Sequence, residues 1–175
     1  GGNQTEYVET EEDNQLAEFT SIILAGTEDV WTDIFSSMGK TYHPPKLVIF
    51  NRAVQSGCGG ATSQTGPFYC SADKTVYIDL SFFKEMEKMF GTSGDFAWAY
   101  VIAHEVGHHV QNELGILGEV QNRQRQMSKK ESNRLNVKLE LQADFFAGIW
   151  AHYDNKNYSS LEEGDIEEGL AMASA

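Results

Sequence analysis

Tyr100-Val-Ile-Ala-His-Glu-Val-Gly-His-His-Val110 is an apolar run with polar side chains set into it at helical spacing. Within it, His104-Glu105-Val106-Gly107-His108 is an HExxH motif. Residues four apart share one face of a helix, so His104 and His108 present their imidazoles to a single cation. Glu105 lies one residue past the first histidine. From there its carboxylate reaches a water on the metal without being a ligand itself. Two neutral nitrogens, an open position and an adjacent base are the parts of a hydrolytic zinc site. The alternative is a chance match whose histidines pack or face solvent, and the helical, apolar setting argues against it.

Two histidines do not hold zinc tightly, and a third protein ligand is needed beside the water position. A second long helix, expected from about Asn133 to Tyr153, supplies candidates. Its apolar positions Leu135, Leu139, Ala143, Phe146 and Trp150 follow one face. Phe145 and Ile149 widen that face, so the helix is expected to be deeply buried. Glu140 and Asp144 are four apart and share a face beside this stripe. An acid at the edge of a buried helix needs a partner, and a metal is a strong one. The competing reading is a pair of surface acids.

Around these two helices the chain reads as α+β, mainly helical with a small sheet. Asn14 to Met38 reads as one or two helices with Leu16, Phe19, Ile22, Ile23, Trp31, Ile34 and Phe35 buried and Gly39 as the stop. His43-Pro44-Pro45 is a turn, and Lys46 to Phe50 a strand. Thr75 to Leu80 is a second strand, rich in β-branched and aromatic residues. It is the candidate edge along which a substrate backbone would lie, against the plainer reading of an ordinary sheet strand. Ser81 to Phe90 is a short helix closed by Gly91. Asp95 is a candidate N-cap for the motif helix, roughly Phe96 to Glu113. Residues 117–132 are polar, either a solvated helix or a mobile connection. Ser160 with Glu163 suggests a capping box for a last helix.

The 175 residues, 41% hydrophobic, suit one domain with a real core, expected over 14–175 after an acidic tail at 1–13. A formal net charge of −13 argues against nucleic acid or an anionic membrane surface as partner. Its acids crowd the two ends, from Glu6 to Asp13 and from Glu162 to Glu168, where solvated surface is the plain reading. No apolar stretch reaches the length of a membrane span, and no signal peptide is seen. The opening Gly1-Gly2-Asn3-Gln4-Thr5 reads as a linker, and both ends look cut. Cys58 and Cys70 flank a loop rich in Gly, Ser and Thr. A disulfide would pin that loop and imply an oxidising compartment. Two free thiols in a cytosolic protein are the alternative, and a metal site on them lacks partners at ligand spacing.

His-Glu-Val-Gly-His with the later Glu140-Leu-Gln-Ala-Asp144 looks like the gluzincin pattern, HExxH followed by ExxxD. Together with Gly66-Pro-Phe-Tyr-Cys70, Val76-Tyr-Ile-Asp79 and Ala147-Gly-Ile-Trp-Ala-His152, it resembles the bacterial putative neutral zinc metallopeptidases from about residue 47 onward. The resemblance implies a zincin-like fold, one Zn2+ ion and hydrolysis of peptide bonds. It makes His104, His108 and Glu140 the ligands and Glu105 the general base. Asp144 would accept an N–H from a ligating histidine, with an exchange of roles between Asp144 and Glu140 as the alternative. Oxyanion donors are sought among His152, Tyr153, Tyr100 and His109. The family also implies an N-terminal membrane anchor, a cell-envelope or secreted location and a C-terminal continuation with a further histidine. A cysteine usual after the ExxxD aspartate is Phe145 here. Two other functions stay open: a catalytically silent zinc-binding scaffold of the envelope, and a hydrolase of cell-wall peptides.

Overall fold

Helix α1 (Glu11–Ser37) begins where Thr10 can cap it. The Thr10 hydroxyl accepts the Asp13 N–H at 3.1 Å, and the Asp13 carboxylate accepts the Thr10 N–H at 3.2 Å. This reciprocal box starts the helix three residues earlier than expected and draws Asp13 out of the acidic tail into a buried ion pair with Lys84. In the computed structural model residues 10–62, 66–90 and 94–158 are described. The segment runs as one helix and stops at Gly39, whose φ of 71° suits glycine. Its inward face carries Thr20, Thr27, Trp31 and Phe35, whereas Ile22, expected in the core, is exposed because its neighbours Phe19 and Ile23 hold the inward side.

The chain then forms β1 (Lys46–Phe50), β2 (Ala53–Ser56), β3 (Gly59–Thr62), β4 (Phe68–Cys70) and β5 (Thr75–Asp79). β1 pairs with β5 in parallel and β4 pairs with it antiparallel, giving the order β1-β5-β4. β5 is therefore the central strand, buried at every position. The expectation that Thr75 to Leu80 forms an open edge is wrong, since both flanks of the strand are taken and Leu80 already belongs to the next helix. Among the described residues the free edges of this sheet are β1 and the three-residue β4. β2 and β3 make a separate hairpin whose turn holds Cys58, and a disulfide joins Cys58 to Cys70 at the end of β4.

α2 (Leu80–Phe90) follows, then α3 (Asp95–Glu113), the motif helix. α3 starts at Gly94 with φ 52° and has no side-chain cap. Asp95 is its first residue and not its N-cap; its carboxylate helps only through the helix dipole. From Ala97 to Gly107 every residue of α3 is buried, as suits a helix apolar on all sides. It lies in the middle of the molecule, with Trp31, Phe35, Val76, Ile78, Trp98, Ile102 and Val106 in one core cluster.

The polar stretch 117–132 resolves into α4 (Ile116–Gln124), a turn, and the start of α5 (Lys129–Tyr158). Ser128 caps α5 by accepting the Glu131 N–H at 3.2 Å. α5 crosses α3 where Gly107 faces Ala143. A Cβ on Gly107 would come within 2.9 Å of the Ala143 carbonyl oxygen, so the two backbones touch. The buried side of α5 is narrower than expected. Ala143, Ala147 and Trp150 are buried, but Phe145 is 66% exposed and lines up with the exposed Val137 and Leu141. α5 packs on α3, α1 and α4, and no described element covers this flank. Gly91, Ser160 and Glu163 lie outside the described residues. No helix among the described residues is long and apolar enough to cross a membrane.

Candidate metal centre

One turn of α3 separates His104 from His108, and both rings face α5, 4.9 Å apart and edge to face. Glu140 projects from α5 between them. Its Oε2 is 3.0 Å from His104 Nε2 and its Oε1 is 3.1 Å from His108 Nε2. Ligand atoms of His104, His108 and Glu140 all lie within 4.8 Å of one another. Bonds of ~2 Å to one ion place ligand atoms roughly 3 to 3.5 Å apart, so the three side chains fit a cation after small shifts. Two imidazole nitrogens and a carboxylate oxygen are the donor set of catalytic zinc sites.

Burial opposes charge on both rings, yet the Glu140 carboxylate outweighs it. His104 is held above the usual imidazole range and His108 is raised to about 9. In return, hydrogen bonds from His104 and then His108 hold Glu140 well below the usual carboxylate range. Protons shared in this way are the ones a cation displaces when it binds.

Behind each ligand nitrogen stands a second partner. His104 Nδ1 is 2.6 Å from Asp144 Oδ1, at ion-pair distance though not aligned as a hydrogen bond; both atoms are buried and have no aligned hydrogen-bond partner. His108 Nδ1 donates to Gln111 Oε1 at 2.9 Å. Gln111 is a site residue that the motifs of the sequence do not single out. Its one signal there is a polar residue three positions after His108 within an apolar helix, a spacing that places it beside that ring.

Glu105 is only 9% exposed, and burial raises its carboxyl above the ordinary range against the pull of His108 and His104. The backbone N–H of Tyr69, on β4, is hydrogen-bonded to it. One outer strand of the sheet, β4, and the acid of the motif therefore meet at one point.

The remaining candidates separate clearly. His109 is fully buried: Nε2 donates to the His43 carbonyl and Nδ1 accepts from Tyr69 Oη, each at 2.7 Å. Both nitrogens are used in the core, so His109 is not an oxyanion donor. The Tyr100 hydroxyl donates to the Asp144 carbonyl at 3.0 Å and fixes the α5 backbone. His152 and Tyr153 are exposed, their rings packed edge to face. They join Tyr100, Asp144, Leu141 and Phe145 around a cavity of about 760 Å³ beside the site.

An HExxH helix crossed by a helix that offers a glutamate and a supporting aspartate, under a small mixed sheet, defines a zincin-like protein. The model of the family described as "Putative neutral zinc metallopeptidase" matches residues 2–175, and the chain belongs to that family. It is 53% identical over 163 residues to "Uncharacterized protein YpfJ" of Escherichia coli K12, covering 93% of this chain and 56% of that protein. It is 44% identical over 144 residues to "Uncharacterized protein Mb2605" of Mycobacterium bovis and to "Uncharacterized protein Rv2575" of Mycobacterium tuberculosis H37Rv, covering 77% of this chain and 47% of each. The chain thus spans about half the length of the curated relatives it matches. No solved structure matches it.

Proposed function

We propose that this chain is the catalytic portion of a zinc metallopeptidase that cleaves peptide bonds outside the cytoplasm. The observation that carries this reading is the convergence of His104 Nε2, His108 Nε2 and the Glu140 carboxylate beside the buried acid Glu105. When bound, zinc supplies a water of lowered pKa and a Lewis acid for the scissile carbonyl. Glu105 takes a proton from the attacking water and returns it to the leaving amine. Burial suits it to both steps, because a carboxyl held above its ordinary range accepts and releases a proton closer to neutrality. Asp144 orients His104 from behind. The substrate backbone lies along β4, the free edge whose Tyr69 N–H reaches Glu105. Of the oxyanion candidates, His152 is left as the imidazole exposed beside the site. The disulfide supports an oxidising compartment, the bacterial envelope or the medium.

Glu105→Gln should retain zinc and lose peptidase activity by at least about 100-fold, the low end of what a general base contributes. Turnover of a mixed peptide library and of purified wall fragments measures this and separates protein from cell-wall substrates. Wild-type turnover in the variant would sink the mechanism. Zinc-loaded protein that cleaves neither substrate would leave a scaffold role. Zinc titration of Glu140→Ala against Asp144→Ala tests the ligand assignment: the first should abolish tight binding and the second should weaken it.

A further inference from the structure

The geometry assigns Gln111 as the positioning residue that decides which nitrogen of His108 faces the metal and ties that ligand to the helix carrying Glu140. The inference rests on the zinc reading above. Gln111 is fully buried, so each of its polar atoms has to be satisfied inside the protein. Its Nε2 donates to the Leu139 carbonyl at 2.8 Å and to Gln142 Oε1 at 3.0 Å. A backbone carbonyl can only accept, so the amide nitrogen must point at α5 and the amide oxygen must point at His108. An amide oxygen can likewise only accept. His108 Nδ1 therefore carries a proton, and Nε2, turned toward Glu140, is the nitrogen whose shared proton a cation would displace. Turning the amide over would set oxygen against the Leu139 carbonyl and N–H against N–H, leaving buried groups unpaired.

Leu139 immediately precedes Glu140. One side chain thus holds the ring of the second ligand and the backbone beside the third, on two different helices. The two histidines are also treated unequally. His104 is backed by the Asp144 carboxylate, and His108 by a neutral amide. The amide adds no further negative charge to a site that already gathers Glu105, Glu140 and Asp144.

Two variants test this, Gln111→Met, similar in size but without acceptor or donors, and Gln111→Glu, which keeps an acceptor for the Nδ1 proton and loses the donors. The readouts are zinc affinity by chelator competition and imidazole ¹⁵N and ¹H resonances of the zinc-loaded protein. Wild type should show His108 bound through Nε2, with a slowly exchanging Nδ1 proton. Gln111→Met should lose that slow exchange and bind zinc roughly 10- to 100-fold more weakly. Gln111→Glu should keep the proton signal and bind zinc more tightly than Gln111→Met. Wild-type His108 bound through Nδ1, Gln111→Met with unchanged affinity, or Gln111→Glu no better than Gln111→Met would each overturn the assignment. If Gln111→Met does not fold, the wild-type resonances alone decide. A wild type that binds no zinc sinks the metallopeptidase reading itself, whereas a wild type that binds it with Gln111→Met its equal sinks only the role of Gln111.

Discussion

Three histidines within six residues of α3 do different work, and what separates them is what each nitrogen meets. His104 and His108 turn Nε2 toward Glu140 and rest Nδ1 on Asp144 and Gln111. His109 points the other way, into a pocket closed by Tyr69 and the His43 carbonyl, where burial pushes its pKa down and keeps it neutral. The HExxH spacing singled out the first two by helical geometry. Nothing in the one-dimensional order says that His109 is core, because its partners are 40 and 66 positions away. Asp13 shows the same limit among the acids. Counted with a solvated tail, it is instead buried against Lys84, whose hydrogen bond, with the one from the Thr10 backbone, outweighs burial and lowers its pKa. A depressed carboxyl pKa stabilises the fold above the unfolded value and loses that stabilisation as pH falls through the folded value. Wild type should therefore lose stability on acidification below about pH 4, the ordinary carboxylate value. Asp13→Asn should flatten that limb and cost about 1 kcal/mol at neutral pH through the weakened cap. Urea unfolding at pH 7, 4 and 3 measures both; parallel pH profiles for the two proteins would contradict the argument.

At the level of elements, the site depends on how closely α3 and α5 approach. Gly107 fills an x of HExxH and is the point where the backbones meet, with no room for a methyl group against Ala143. Gly107→Ala raises helix propensity by about 1 kcal/mol but overpacks the crossing at a cost of about 1–3 kcal/mol, so the expected outcome is net destabilisation. Zinc affinity should fall with it, since His108 rides on one helix and Glu140 on the other. Thermal unfolding and chelator competition on one preparation report the two effects, and a stabilised variant with intact zinc binding would refute the crossing argument. Strand order was the element-scale property hardest to read. The composition of β5 marks a strand, but the same β-branched and aromatic content serves an edge or a centre. Short β2, β3 and β4 leave little mark on the sequence, because a loop rich in glycine and serine carries little periodicity.

For the whole molecule, a zinc ion at the proposed site would be held by α3 and α5 together and would join their unfolding. Removing it should lower the melting temperature of the wild type, the stability lost being about 2.7 kcal/mol when free zinc is 100 times the dissociation constant. Scanning calorimetry with zinc, with EDTA and after re-addition measures the shift. An unchanged transition would mean that the ion does not link the helices. His104→Ala should melt alike with and without zinc. The disulfide fastens the β2–β3 hairpin to the end of β4, so the covalent tie lies one residue from the strand position that meets Glu105.

Taken by itself, the order of residues determined the mainly helical α+β class, the HExxH helix, the Glu140 and Asp144 pair and the prospect of a Cys58–Cys70 bridge. Each depends on spacing along a single helix or loop, where local geometry converts sequence distance directly into spatial distance. Only the tertiary structure decided that β5 is central, that β4 offers its edge to the site, that His109 is core, that Phe145 faces solvent and that Gln111 stands behind His108. Those outcomes follow from which surfaces of separate elements come to face one another. Burial and hydrogen-bond satisfaction act on such meetings across the whole fold, and no window of sequence contains both partners.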